Sequence, residues 1–397
     1  MNLLFMAGYY PMADRNSGDF RLSQLLRIFA EGNKIFFFAN NLQGQIGDIG
    51  REAVDKYRDN LSTIGITVLE GGAHHAITHT HYDSVFFEWY FPAKLLINEV
   101  RLLQPTALLV IDSVDIVFNR YEAKARLSGT EEDRLNAVQI KKIELATYKA
   151  SDLVITISDA DAAILHCELP LTPTYTISNI HPMPVLNQTK PAPDIQLLFI
   201  GSFTHEPNVD AILYFCSEIL PLVQREAPNI NLYIVGNAPT EEVLALASGH
   251  IKVLGYVPET KPYLESAQIS IAPLRFGGGV KGKVGEAMSY ALPIVTTSTG
   301  AEGFDVINGE HLLICDDSQS FAKGVIDLLN DDRYRIRIGQ AARKFIEDNY
   351  SDTVAQNRAK TLLSDLHSYK VNKLRISHKL KMIAVNFLRK NITWRFK

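Results

Sequence analysis

ISIAPLRFGGGVKGKVGEAMSYALPIVTT, Ile269 to Thr297, is the stretch that decides the fold. ISIAPL is a short apolar run rich in isoleucine and reads as a buried strand, Gly277 to Gly279 as a turn, VKGKVGEAMSYA as a helix, and PIVTT as the next strand after Pro293 has stopped the helix. A strand, a glycine turn and a helix in that order form half of a βαβ unit, and they predict a parallel sheet with an anion site at the turn. Glycines let backbone approach a ligand closely, and the first amides of a helix have no partner inside it. Lys281 and Lys283 add positive charge there, while Glu286 lies too far along the helix to cap it and is placed to accept hydrogen bonds from sugar hydroxyls. A nucleoside diphosphate satisfies both features.

The same pattern extends outward in both directions. NLLFMAG, KIFFFAN, TALLVID and LVITIS in the first half, and QLLFIG, INLYIVG and IKVLG in the second, are continuous apolar runs separated by helical stretches, as expected of parallel strands buried on both faces. With 397 residues, the expectation is α/β with two doubly wound units meeting across a cleft. HPMPVLNQTKPAPD, His181 to Asp194, is proline-rich and polar and marks the boundary. A net charge of -4 excludes a globally basic nucleic-acid binder. Cys167, Cys216 and Cys315 fit neither a disulfide framework nor metal-ligand spacing, which implies a reducing cytoplasm. The opening MNLLFMAGYYP is too short in apolar residues for a membrane span and reads as the first strand.

Gly277, Gly279 and Gly282 also spell G-x-G-x-x-G, but a dinucleotide site needs an acid closing the next strand, and Glu302 falls in the loop beyond PIVTT. Three βα units precede this turn, where a dinucleotide turn opens its domain. A bland glycine turn with solvated lysines is the other alternative.

The extended segment Ala272 to Phe304 resembles the donor-binding region of the retaining nucleotide-sugar glycosyltransferases of family 4 (glycosyl transferases group 1), which have the GT-B fold of two Rossmann-like domains. The resemblance continues through FIGSFTHEPNVDAILYF, EILPLVQREAPNINLYIVGNAP and IKVLGYVPE, and in the first half through GYYPMADRNSGDFRL, LLVIDSVDIVFNR, ELATYKASDLVITIS and TISNI, covering most of residues 1 to about 365. It implies that Glu286 binds the donor ribose, that Lys281, Lys283 and the amides of Gly278, Gly279 and Val280 hold the diphosphate, and that Tyr256 and Val257 lie beside the base. Gly18 would approach the phosphates from the other domain. Where many relatives carry a first glutamate this chain has Gly278, and Ser202 replaces the usual arginine of the phosphate loop, which shifts the burden to the two lysines and Arg275. Asp115, Ile116 and Val117 stand where the subgroup often shows D-x-H.

The implied reaction moves a sugar from a nucleoside diphosphate to an acceptor hydroxyl, with retention implied by the resemblance alone. Fixed positive groups aimed at the leaving diphosphate are its main lever. No divalent metal or other cofactor is expected, since no second carboxylate stands ready to anchor one. Asp112 and Asp115 close a strand on the cleft side; the resemblance favours Asp115, helped by Arg120, orienting acceptor hydroxyls, against the alternative of a helix cap. A nucleotide-sugar epimerase or hydrolase of the same fold, and a non-catalytic sugar-nucleotide scaffold, are the competing functions.

His74, His75, His79 and His81 crowd GGAHHAITHTHYD, which is expected to be an acceptor-facing loop sooner than a metal site. FFEWYFPAKLLINEV has helical spacing and reads as a core helix, with Trp89 as the residue to test for sugar stacking. From Leu366 to Lys397 there are nine Lys or Arg and no acid, interleaved with apolar residues near one helical face, which suits an anionic membrane surface. The expected organisation is an acceptor domain over 1–182, a nucleotide-sugar domain over 193–348, a helix over 349–368 crossing back to the first domain, and a basic amphipathic tail over 369–397. Together these imply a cytoplasmic enzyme peripheral to the inner face of the membrane, working on a saccharide or lipid-linked acceptor in surface polysaccharide or glycoconjugate synthesis.

Overall fold

The computed structural model describes residues 1–186, 195–369 and 371. The basic tail from 372 onward, and the prolines of the connector over 187–194, lie outside the described residues. Two parallel sheets make up the molecule. The first contains β1 (Asn2–Ala7), β2 (Lys34–Ala39), β3 (Thr67–Val68), β4 (Ser84–Glu88), β5 (Leu108–Asp112), β6 (Leu153–Thr156) and β7 (Thr174–Thr176) in the order β3-β2-β1-β4-β5-β6-β7. The second contains β8 (Leu197–Ile200), β9 (Leu232–Val235), β10 (Ile251–Gly255), β11 (Ile269–Ala272), β12 (Ile294–Thr296) and β13 (Leu313–Ile314) in the order β10-β9-β8-β11-β12-β13. Each is a doubly wound sheet whose strand order reverses once, between β1 and β4 in the first and between β8 and β11 in the second. The crevice at that reversal, outside the carboxyl ends of the strands, is where such sheets bind ligands.

Each sheet is buried on both faces, which is why its strands read as unbroken apolar runs. Leu3, Phe5, Phe86, Leu108 and Val110 face the helix Ser17–Ala30, while Leu4, Met6, Val85, Phe87, Leu109 and Ile111 face the opposite layer. The helix Asp352–Asp365 inserts Ala355, Ala359 and Leu362 into the first of these cores, and Lys360 pairs with Glu31 at 3.0 Å. The chain therefore crosses between the domains twice, and the two crossings touch where the His181 amide donates to the Tyr350 carbonyl at 2.9 Å.

Two expectations change. FFEWYFPAKLLINEV is not one helix: Ser84–Glu88 is a strand paired with β1 and β5, and the helix begins at Tyr90. Val85, Phe86 and Phe87 are buried from both faces, a condition under which apolar periodicity cannot separate strand from helix. His81, at the end of the histidine segment, does not face the cleft. His81 accepts from Asn2 through its carbonyl and its ring meets Thr106, and both contacts lie at the amino ends of strands. Among the described residues no group of three His, Cys, Asp or Glu has the geometry to hold a metal ion.

Candidate active site

The helix that follows the glycine turn starts at Gly282, and the helix that follows β1 starts at Ser17. The two N-termini meet across the domains: a Cβ placed on Gly282 would lie 2.4 Å from the Ser17 Cβ. Aligned peptide dipoles leave partial positive charge at such ends, so two of them converge on one place. Asn16 caps the first helix by accepting from the Asp19 amide at 2.8 Å, while the second has Lys281 at its cap with no side-chain bond to its amides. Gly18 follows Ser17 and packs on Val114 of the β5 loop, with its Cβ position 3.4 Å from that side chain.

The turn itself is shaped by the first domain. Gly279 has φ +63°, and a side chain there would come within 3.0 Å of the Asp115 Cβ and of the Ile157 side chain. At Gly278 a Cβ would stand 3.2 Å from that of Arg120, so the position where relatives carry a glutamate is filled here by an arginine stem from the other domain. Asp115 and Arg120 pair at 3.1 Å. Neither Asp112 nor Asp115 caps the helix Val117–Ser128: the Glu144 carboxylate accepts from the amides of Val117 and Phe118 at 2.9 and 2.7 Å. Asp112 is instead buried against Arg21 at 2.6 Å.

The two lysines differ. The Lys281 ammonium is buried and committed, donating to the Gly279 carbonyl at 2.6 Å and to Glu302 at 2.9 Å, while Asn119 of the first domain donates to the other Glu302 oxygen at 3.3 Å. It holds the turn closed. Lys283 lies over the Phe199 ring at 4.7 Å and donates to Asn208, beside Gly201 at the end of β8. Burial first, and then the charge of Lys281, bring its pKa down to about 7. Lys283 thus stands beside Ser202, where the resemblance places an arginine. The Val280 side chain is buried and its carbonyl accepts from Asn179 at 2.9 Å.

At the other end of the helix Gly282–Ser289, Thr260 donates to Glu286 at 2.7 Å, and burial raises the Glu286 carboxyl above its ordinary value. Thr260 belongs to the loop after β10 that carries Tyr256 and Val257, so these residues and Glu286 share one end of the cleft. Tyr256 donates to Asp14 of the first domain at 3.1 Å, with the Arg15 guanidinium 5.6 Å over its ring. Arg275 is not directed to this site. It pairs with Asp210 and lies over the Tyr214 ring, both on the second domain's first helix, Glu206–Tyr214. Glu302 lies beyond β12 and is bound to Lys281, so no acid closes that strand as a dinucleotide site requires.

Sequence reasoning did not reach Ser17, Arg21, Asn208 or Thr260. Asn208 belongs to the PN pair and could have been flagged by it; the others carry no local signal, because their partners lie in distant segments.

Comparison with known proteins follows this geometry. Residues 194–331 match the family model described as glycosyl transferases group 1. Sucrose-phosphate synthase from Thermosynechococcus elongatus superposes with a TM-score of 0.69 at 14% identity, covering 93% of this chain and 100% of that one. Anabaena HepE in complex with UDP-glucose gives 0.64 at 14% identity over 92% and 100%. The fold is GT-B. A Klebsiella pneumoniae protein described as an uncharacterized 44.6 kDa protein in the cps region is 30% identical over 163 residues, which span 39% of this chain and 42% of that protein. No described helix is long and apolar enough to cross a membrane.

Proposed function

We propose that this chain is a glycosyltransferase that moves a sugar from a nucleoside diphosphate to an acceptor hydroxyl. The observation that carries the reading is the meeting of two helix N-termini, one from each domain, beside the Lys283 ammonium. A pyrophosphate is the anion such an arrangement suits, since it needs amides and a cation on more than one side. Glu286, with one oxygen taken by Thr260, offers the other to the ribose, and Tyr256 and Val257 flank the base. Lys281 supports the site from behind by fixing the Gly279 turn. As the sugar leaves, charge grows on the diphosphate, and groups already aimed there lower the barrier. Asp115 and Arg120, held together against Gly278 and Gly279, face the transferred sugar and the acceptor from the first domain. No residue in this set calls for a metal ion or another cofactor.

Retention, and a place in surface polysaccharide or glycoconjugate synthesis on a saccharide or lipid-linked acceptor at the inner membrane face, belong to the same proposal. They are supported by the family resemblance and by the partial likeness to the cps-region protein. HepE was solved with UDP-glucose, which makes uridine the first base to test. In a thermal-shift screen of UDP-, GDP- and TDP-sugars, one nucleotide class should raise the melting temperature, because a ligand at 100 times its dissociation constant stabilises by about 2.7 kcal/mol. No shift from any of the three would remove the donor-site reading. Release of an epimerised or free sugar without acceptor-dependent product would favour the epimerase or hydrolase alternative.

A further inference from the structure

Glu302 divides its two carboxylate oxygens between the domains. Oε2 accepts from the Lys281 ammonium at 2.9 Å, and Oε1 accepts from the Asn119 side chain of the first domain at 3.3 Å. The same ammonium donates to the Gly279 carbonyl at 2.6 Å, so the shape of the glycine turn depends on where Lys281 is held. An ammonium this deeply buried needs a counter-charge in contact with it, and Glu302 supplies one. The C=O and N–H of a trans peptide point in opposite directions. Fixing the Gly279 carbonyl on Lys281 therefore turns the Val280 amide to the other side, where the diphosphate is proposed to bind.

The loop that carries Glu302 is itself fixed on several sides. Gly303 has φ +83°, and a Cβ there would stand 2.7 Å from a Val280 side-chain methyl and 3.5 Å from the Ser158 Cβ, so the loop lies directly on the turn and against the first domain. The Tyr350 hydroxyl donates to the Gly303 carbonyl at 3.2 Å, and the Tyr350 carbonyl accepts from the His181 amide where the two chain crossings touch. Asn179, just before His181, donates to the Val280 carbonyl at 2.9 Å. On the first domain, Asn119 directly precedes Arg120, whose Cβ lies 3.2 Å from the Cβ position of Gly278. The turn is thus tied to the crossings through Gly303 and to the helix Val117–Ser128 through Glu302.

We propose that Glu302 is a positioning residue that links domain closure to the shape of the phosphate turn. The proposal rests on the glycosyltransferase reading and adds the means by which the second domain's anion site responds to the arrival of the first domain. With the domains together, Asn119 orients the carboxylate, the carboxylate holds Lys281, and Lys281 holds the Gly279 carbonyl. When the domains part, Asn119 leaves and the carboxylate keeps only its contact with Lys281. A nucleotide that prefers the braced turn then also favours closure, and closure raises nucleotide affinity by the same factor.

The test titrates UDP, GDP and TDP onto the full-length wild type, Asn119→Ala, Glu302→Gln and the double variant, with melting temperature and small-angle scattering measured on the same samples. Asn119→Ala removes the first domain's contact and leaves every residue of the second domain in place. It should lower affinity for the nucleotide that binds wild type by about threefold to tenfold, enlarge the radius of gyration of the nucleotide-bound protein, and melt as wild type does without nucleotide. Glutamine offers one acceptor oxygen to two donors and the ammonium takes it, so Glu302→Gln should lose at least as much affinity. The double variant should match Glu302→Gln within about twofold, because the Asn119 contact is already gone. Wild-type affinity and radius in Asn119→Ala, a loss that merely follows its melting temperature, or losses that multiply in the double variant would each overturn the proposal. If Glu302→Gln does not fold, Asn119→Ala decides alone. A wild type that binds none of the three nucleotides overturns the glycosyltransferase reading, and the role of Glu302 with it; binding that Asn119→Ala leaves untouched overturns the role alone.

Discussion

Lys283 concentrates the chemistry of the site in one residue. Its amine is desolvated and shares its surroundings with Lys281, so in the empty protein it is half-neutral near pH 7. An arriving diphosphate restores the charge by taking up a proton. Between the folded value of about 7 and the ordinary 10.5 the folded chain binds fewer protons than the unfolded one, so this residue's contribution to stability grows with pH while diphosphate affinity falls. Calorimetry of UDP binding at pH 8, in buffers of different ionisation enthalpy, should show proton uptake, and Lys283→Met should abolish both the uptake and most of the affinity. Equal uptake by the variant would place the titrating group elsewhere. The type and spacing of Lys281, Lys283 and Glu286 were legible in the sequence. The division of labour between the lysines was not, because it depends on Glu302 and Asn208, which lie in other segments.

At the scale of elements, the site is a contact between two helix starts. Ser17 and Gly282 approach so closely that Gly282→Ala cannot be absorbed by a flexible side-chain tip, because the atom it meets is the Ser17 Cβ. The domains must part instead. We expect Gly282→Ala to fold with a melting temperature near that of wild type and to lose transfer activity, with a larger radius of gyration by small-angle scattering in the presence of UDP. An unchanged radius and rate would mean that this contact does not govern closure. Most strands could be read from the sequence because both faces of each sheet are buried and apolar runs mark them. Thr67–Val68, Thr174–Thr176 and Leu313–Ile314 are too short to stand out, and Ser84–Glu88 was hidden by the aromatic helix that follows it.

Across the whole molecule, closure is a set of polar contacts between the domains. Tyr256 reaches Asp14, Asn119 reaches Glu302, Lys124 reaches Glu206 at 2.9 Å, and Asn179 reaches the Val280 carbonyl. They lie around the cleft, and the two chain crossings meet at His181 and Tyr350. Such contacts are individually weak when exposed, which suits a molecule that has to open for its donor and close again. The two-domain architecture was legible in the sequence from the recurrence of buried runs on either side of one proline-rich connector. The pairs that bridge the cleft were not, because each joins residues more than a hundred positions apart, save Lys124 and Glu206. The most direct test of the central claim is a crystal structure of the full chain with UDP. The account predicts the β-phosphate within about 3 Å of the Lys283 Nζ, between Gly18 and the Gly279 turn, with the ribose on Glu286. Phosphates bound away from these residues would contradict it.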